Sequence, residues 1–494
     1  MVDVATSPAG DCASNVLVAT LLGAGRRTPE KVCAYHSSGS MTYAQLDALS
    51  ARLAHALVDV HGVARGDRVA VQTRATPELL ALNVACARIG AIYVALNTAY
   101  TDREVLELLA ECSPSLLVRD EVLDSEMARV SLGELVSSSA SLPSQHDDAR
   151  TDAATPAAML FTSGTTGRPK GALLTQGNLV FGCTTLNAAW AITSDDVLVH
   201  VLPLFHVHGL FVAAYCSLSS GASMRLLGGF EVGAVVAAMR ESSLLMGVPT
   251  HYTRLLADER FDRDAASGMR LFVSGSAPML ASTHDEFFER TGHWILERYG
   301  MTETGMITSN PLQGKRKVGT VGPALAGVEV RVSGASPGVI EVRGPNVFAE
   351  YWNRPELRAS EFTHDGFFIT GDLGVLDDDG YLEIVGRSKD LIITGGLNVY
   401  PKELEQVIDT FPGVQESAVV GVPDADFGEA VNAVVVARPG VQLDVEQLRV
   451  LARSSMAAFK VPKNFVVVAE LPRNTMGKVQ KAILRTELTE RLGR

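Results

Sequence analysis

Between Phe161 and Gly171 the chain reads Phe161-Thr162-Ser163-Gly164-Thr165-Thr166-Gly167-Arg168-Pro169-Lys170-Gly171, an apolar strand end followed by hydroxyls, glycines and a lysine. Glycines let several backbone N–H groups turn toward one anion, hydroxyls donate further hydrogen bonds, and a lysine adds a compact charge. Such a loop suits a polyphosphate. It lacks the Gly-Lys-Ser/Thr ending of a Walker A loop, and a polar surface turn uses the same residue types.

Five more strings of reactive residues and glycines follow: Ser274-Gly275-Ser276-Ala277-Pro278, Glu297-Arg298-Tyr299-Gly300-Met301-Thr302-Glu303-Thr304, Thr370-Gly371-Asp372, Gly386-Arg387-Ser388-Lys389-Asp390 and Pro472-Arg473-Asn474-Thr475-Met476-Gly477-Lys478. Together with the loop, in this order and across nearly the whole chain, they resemble the motif set of the adenylate-forming superfamily: acyl-CoA synthetases, luciferases and the adenylation domains of peptide synthetases. The resemblance implies ATP-dependent activation of a carboxylic acid as its acyl-adenylate, followed by transfer to a thiol. Joining a carboxylate to an α-phosphate brings two anions together, so charge must be neutralised before the oxygens meet in line.

The resemblance gives each residue a role. Thr162, Ser163, Gly164, Thr165, Thr166, Gly167 and Lys170 are expected to hold the phosphates. The backbone of Ser274, Gly275, Ser276, Ala277 and Pro278 is expected along one face of the adenine, with Tyr299 on the other. Glu297, Gly300 and Met301 belong to the same nucleotide-binding string. Thr302 would donate to the α-phosphate, and Glu303, a hard oxygen ligand, would hold Mg²⁺. Asp372 would accept from the ribose hydroxyls and Arg387 donate to the sugar or a phosphate, while Lys478 bridges the acid and the α-phosphate. Bland readings stand beside these: Tyr299 as plain core, Asp372 as a turn residue, Lys478 as a lysine of a basic tail.

His200, His206 and His208 raise a metal site, because a strand would point the residues flanking Val207 to one side. No carboxylate or thiolate is spaced to complete it. The resemblance instead places His208 beside the reacting carboxylate, with His206 also readable as a satisfied core histidine. For the thiol step it implies coenzyme A passing the Gly395-Gly396 turn near Lys402, after rotation of a C-terminal unit about Lys389. Gly395-Gly396 also reads as a tight turn before a helix. No carrier segment follows residue 494, so a free thiol such as CoA is expected, with a free-standing carrier protein left open.

Two arginines bear on the acid: Arg254 and Arg298 fall in segments that the superfamily uses to line its acid pocket. A buried guanidinium needs an anion, and a second carboxylate satisfies it with two parallel bonds. A structural salt bridge is the alternative for each. The strings Leu204-Phe205-His206-Val207-His208-Gly209-Leu210 and Arg298-Tyr299-Gly300-Met301-Thr302-Glu303-Thr304-Gly305-Met306 resemble malonyl-CoA synthetases more than the acetate or coumarate branches, so malonate, with methylmalonate behind it, is the expected substrate.

These residues must be carried by elements. Segments 42–60, 68–72, 76–89 and 91–96 alternate helical and strand patterns, as a parallel sheet with covering helices requires. Strand patterns resume at 155–162, 197–202, 244–249 and 270–275, a second α/β unit, while the Ser- and Asp-rich stretch 133–156 reads as an exposed loop. Short glycine-punctuated strands over 317–386, with a hairpin turn at Asp379-Gly380, form a small β-barrel-like module. The remainder reads as a small α+β domain, which the resemblance implies to be mobile. The boundaries expected are 1–387 for the body that binds AMP and acid, and 388–494 for the unit carrying Lys478.

The formal net charge of -13 excludes a broad basic surface for nucleic acid. The six cysteines, Cys12, Cys33, Cys86, Cys112, Cys183 and Cys216, form no CxxC pair, which fits a reduced, cytoplasmic protein. No signal peptide or membrane span is predicted. Oligomeric state is not legible.

Overall fold

The computed structural model describes residues 15–163, 169–424, 426–474 and 477–492, the side chains of Ser163 and Leu492 aside. Gly164, Thr165, Thr166 and Gly167 of the expected phosphate loop lie outside the described residues.

The large body contains two sheets. The first runs Glu350–Tyr351, Pro169–Thr175, Pro156–Ser163, Ile92–Ala95, Arg68–Gln72, Leu116–Arg119, Arg129–Val130. The second runs Gly305–Ser309, Leu296–Met301, Leu271–Ser274, Leu244–Gly247, Val197–His200, Ser223–Leu226, Val32–His36, Gly39–Thr42. Their central strands pair in parallel. Such strands read as unbroken apolar runs because both faces are covered. The helix Pro77–Ile89 shows the cost of being enclosed: all its residues but Glu78 are buried. Thr76 caps its start, with proline in the first turn, and Gly90 ends it in the left-handed region at φ 71°.

A four-stranded antiparallel sheet follows, in the order Glu329–Ser333, Gly338–Arg343, Phe368–Leu376, Leu382–Arg387. The turn at Asp379-Gly380 closes its last hairpin, with Gly380 at φ 80°. The C-terminal unit is a separate α+β layer. Gly428–Ala437 lies at its centre, paired antiparallel with Val414–Asp424 and parallel with Asn464–Val468. The helices Pro401–Ile408, Val445–Ser455 and Lys481–Leu492 belong to the same unit. It has its own apolar core, including Ile392, Leu404, Ile408, Val419 and Val435. Among the described residues no helix is long and apolar enough to cross a membrane.

Two local expectations are corrected. The stretch 133–156 is not loop throughout: Leu132–Ser138 is a helix, capped reciprocally by Ser131 and Glu134, with Leu132 and Leu135 buried. One apolar pair on a serine-rich background is too short a period to read. His208 does not lie on a strand with His206; it opens a π-helical segment, His208–Ala214.

In a parallel sheet the chain leaves every strand at the same edge, and ligands collect there. At that edge Val197–His200 leads to His206 and His208, and Leu244–Gly247 leads to the helix Pro249–Leu256. Leu271–Ser274 leads to Gly275 and Ser276, and Leu296–Met301 leads to Thr302 and Glu303.

Candidate active site

Successive side chains of a strand point to opposite faces, and Leu296–Met301 uses both. Arg298 is 3% exposed, and its Nε and Nη2 have no hydrogen-bond partner among the described residues. The guanidinium fits only because residue 275 is glycine: a Cβ there would stand 2.4 Å from Arg298 Cζ. His208 is 0% exposed, and neither ring nitrogen has a partner among the described residues. Burial first, then the Arg298 charge, pushes the His208 imidazole well below its ordinary range. Burial also holds His206 down to about 3 and His251 to about 4. His206 and His208 are thus neutral imidazoles in the field of the Arg298 cation, with Lys478 also acting on His206, while the charge acting on His251 is Arg254; burial lowers the pKa of Arg298 itself to about 10. Such an arrangement suits an anion.

Arg254 does not join it, contrary to the reading that made it a second buried cation. The helix Pro249–Leu256 buries Tyr252, Leu255 and Leu256, which leaves Arg254 outside that stripe and exposed. Its guanidinium sits 4.9 Å from the centre of the Phe230 ring, against which His251 stacks at 4.1 Å.

Among the residues expected at the nucleotide, Asp372 and Arg387 face each other across adjacent strands, with Arg387 Nε 2.9 Å from Asp372 Oδ1. The buried Tyr299 hydroxyl donates to Asp372 Oδ2 at 2.5 Å, a link the sequence did not signal. Glu303 is buried and accepts from Thr162 Oγ1 at 3.1 Å and Tyr351 Oη at 2.9 Å, both through Oε1. Desolvation raises its pKa. Lys170, beyond the far end of the glycine loop, pairs with Glu361 at 2.8 Å and lies 4.9 Å from the Tyr351 ring centre. The two ends of that loop are therefore fixed beside Glu303. Tyr351 and Glu361 escaped sequence reasoning because no short string contains them.

The other residues of the nucleotide strings are less alike. Ser276 adopts a left-handed φ of 72° without being glycine, the kind of backbone cost that gathers at binding loops. Ser274 Oγ is buried and unpartnered among the described residues. Ala277 is half-buried and Pro278 exposed, while Met301 and Thr302 are half-buried at the tip of their hairpin. Gly300 has a packing reason, since a Cβ would meet Gly305 O at 2.0 Å. Glu297 is held internally by His284 Nε2 at 2.9 Å and the Met279 amide at 3.4 Å.

Lys478 arrives from the C-terminal unit on a tied turn. Asn474 Oδ1 accepts from the Lys478 amide, Gly477 N donates to Asn474 O, and Arg473 Nη1 donates to Gly477 O. Gly477, at φ 72°, abuts the helix Pro249–Leu256, for a Cβ would stand 3.0 Å from Thr250 Oγ1. The Lys478 ammonium feels Arg387, Asp372, Arg298 and Glu303, and desolvation above all lowers its pKa to about 8. Residues of three motifs distant in sequence thus surround one lysine.

The residues expected at the thiol are not with them. Gly395 and Gly396 form an exposed turn at φ 56° and 79°. Lys402 is not open to a ligand in this arrangement, because its ammonium donates to the Ile384 carbonyl. Lys389 is exposed in a single turn, Ser388–Asp390.

Comparisons with known proteins identify the family. A family model described as AMP-binding enzyme matches residues 23–352, and one described as AMP-binding enzyme C-terminal domain matches residues 403–478. A feruloyl-CoA synthase from Amycolatopsis sp is 35% identical over 476 residues, covering 93% of this chain and 96% of that protein. A malonate–CoA ligase from Arabidopsis thaliana is 34% identical over 479 residues, covering 86% and 79%. The ATP-bound structure of MatB from Rhodopseudomonas palustris superimposes with a TM-score of 0.92 at 45% identity, covering 96% of this chain and 99% of that one. Its apo structure superimposes with a TM-score of 0.81.

Proposed function

Because this chain belongs to the AMP-binding enzyme family and is an acid–CoA ligase, we propose that the acid it activates is a short dicarboxylate, malonate with methylmalonate behind it. The observation that carries the choice is Arg298, a buried guanidinium with Nε and Nη2 unpartnered among the described residues. Those two atoms form one edge of the guanidinium fork, which matches a carboxylate bidentately. The distal carboxylate takes that edge, and the reacting carboxylate lies between neutral His208 and Lys478.

In the first step a carboxylate oxygen attacks the α-phosphorus of ATP, the bond to the β-phosphate oxygen breaks, and pyrophosphate leaves. Lys478 lowers the repulsion between the two anions as they close. Asp372, oriented by Tyr299 and Arg387, receives the ribose hydroxyls. Glu303 fits as the ligand of Mg²⁺, since both its protein donors fall on Oε1. Bound there, the ion would neutralise charge on the phosphates. In the second step the CoA sulfur attacks the adenylate carbonyl, the bond from that carbon to the phosphate oxygen breaks, and AMP leaves.

Similarity to a feruloyl-CoA synthase over most of the chain favours an aromatic acid as the second reading. Such an acid would leave Arg298 without an anion, which weighs against it. Transfer to a free-standing carrier protein is a variant of the same chemistry, separated by whether AMP release requires CoA. A panel of acids decides the substrate: malonate should give the highest kcat/KM, and Arg298→Ala should abolish its use. Faster turnover of acetate, a medium-chain acid or ferulate, or unchanged malonate use by the variant, sinks the assignment.

A further inference from the structure

Lys402 occupies an unfavourable place for a cation. It is the second residue of the helix Pro401–Ile408, where the positive end of the helix dipole repels an ammonium. Burial disfavours the charge further, and it is the largest influence lowering its pKa. What compensates comes chiefly from the large body. Its ammonium donates to the carbonyl of Ile384 in the strand Leu382–Arg387, in the field of Glu297 and Glu383 as well as Glu405 of its own helix. The same strand ends in Arg387, the partner of Asp372.

The helix that Lys402 anchors also holds the segment carrying Lys478. Glu405, one turn on, pairs with Lys481 at 2.6 Å and accepts from the Val419 amide at 2.8 Å. Lys481 opens the helix that follows the Lys478 turn. Two short links therefore join the Ile384 carbonyl of the body to the turn presenting Lys478.

We propose that Lys402 is a positioning residue for adenylate formation, a latch whose docking on Ile384 holds the C-terminal unit where Lys478 meets the site. The proposal rests on the acid-activating reading above, and it assigns Lys402 to the first half-reaction instead of to CoA. When the latch is removed, the turn still folds within its own unit but spends less time over the site. Arginine at this position keeps a charged donor, whereas methionine keeps only the stem.

The test compares wild type with Lys402→Ala, Lys402→Met and Lys402→Arg in two assays. One is acid-dependent ATP–pyrophosphate exchange, with malonate or whichever acid turns over best in the panel. The other is CoA-dependent AMP release from synthetic acyl-adenylate of that acid. Lys402→Ala and Lys402→Met should lose about tenfold or more in exchange, the scale of one hydrogen bond from a charged donor. Lys402→Arg should recover most of it, and AMP release from the adenylate with its KM for CoA should stay near wild type. The proposal is overturned if exchange is unchanged, if KM for CoA rises with exchange intact, or if both half-reactions fall alike. Absence of exchange in the wild type would instead reject the functional reading.

Discussion

Arg298 remains charged where burial has already brought its pKa down to about 10, so the folded protein bears a cost that an anion would remove. Its folded pKa lies below the unfolded value, so the cost is full below about pH 10 and fades as pH rises toward the unfolded pKa. A shift of that size corresponds to a few kcal/mol, before lost packing is set against it. Arg298→Met, measured without ligands at neutral pH, should therefore melt a few degrees higher than wild type, and malonate should no longer raise its melting temperature. A lower melting point would mark the arginine as structural. Lys478 makes a kinetic counterpart. With its pKa near 8 in the unliganded protein, kcat/KM for pyrophosphate exchange, which reports the free enzyme, should fall as pH rises through about 8. Lys478→Arg should retain less activity but lose that basic limb. A limb unchanged in the arginine variant would assign the titration elsewhere.

Single elements explain why some residues meet and others do not. On the strand Leu296–Met301 alternation over 297–299 sends Arg298 toward the proposed acid pocket while Glu297 and Tyr299 serve the other face. Its parallel neighbours at 197–202, 244–249 and 270–275 were readable as strands because short apolar runs bounded by turns are the signature of a doubly covered sheet, whereas Leu296–Met301, with Glu297 and Arg298 inside it, carried no such run. The phase of the helix Pro249–Leu256 was harder. Arg254 was placed by likeness of its string, whereas the buried stripe Tyr252, Leu255, Leu256 excludes it. Gly275, at the end of Leu271–Ser274, shows how an element can require one residue type for a neighbour's sake. Gly275→Ala would put a methyl 2.4 Å from Arg298 Cζ and push the guanidinium aside. KM for malonate should rise about tenfold, one lost bidentate contact, with KM for ATP little changed. If both constants move together, the loop has shifted as a whole and the steric account fails.

At the scale of the whole chain, the pairings that complete the site join residues far apart: Thr162 with Glu303 across 141 positions and Lys170 with Glu361 across 191. No local period encodes such contacts, so the ends of the glycine loop could be read as phosphate ligands but not as neighbours of Tyr351 and Glu361. Motif order gave the fold class and the lysine. It left open where the C-terminal unit sits, and the arrangement seen has Lys478 near Arg298 and the Gly395-Gly396 turn in solvent. If that turn is to guide CoA, the unit must move, and the place with least to break is Ser388–Asp390. This single turn is tied mainly by Ser388 Oγ to Gly371 O at 3.0 Å and by Leu391 N to Ser388 O at 3.3 Å. Proline fixes φ near the value a 3₁₀ turn already uses. Lys389→Pro should therefore keep pyrophosphate exchange within about twofold of wild type, while CoA-dependent AMP release falls about tenfold or more because the hinge can no longer change its backbone angles. Equal loss of both steps would show that proline distorts the turn, and no loss of either would place the hinge at another residue.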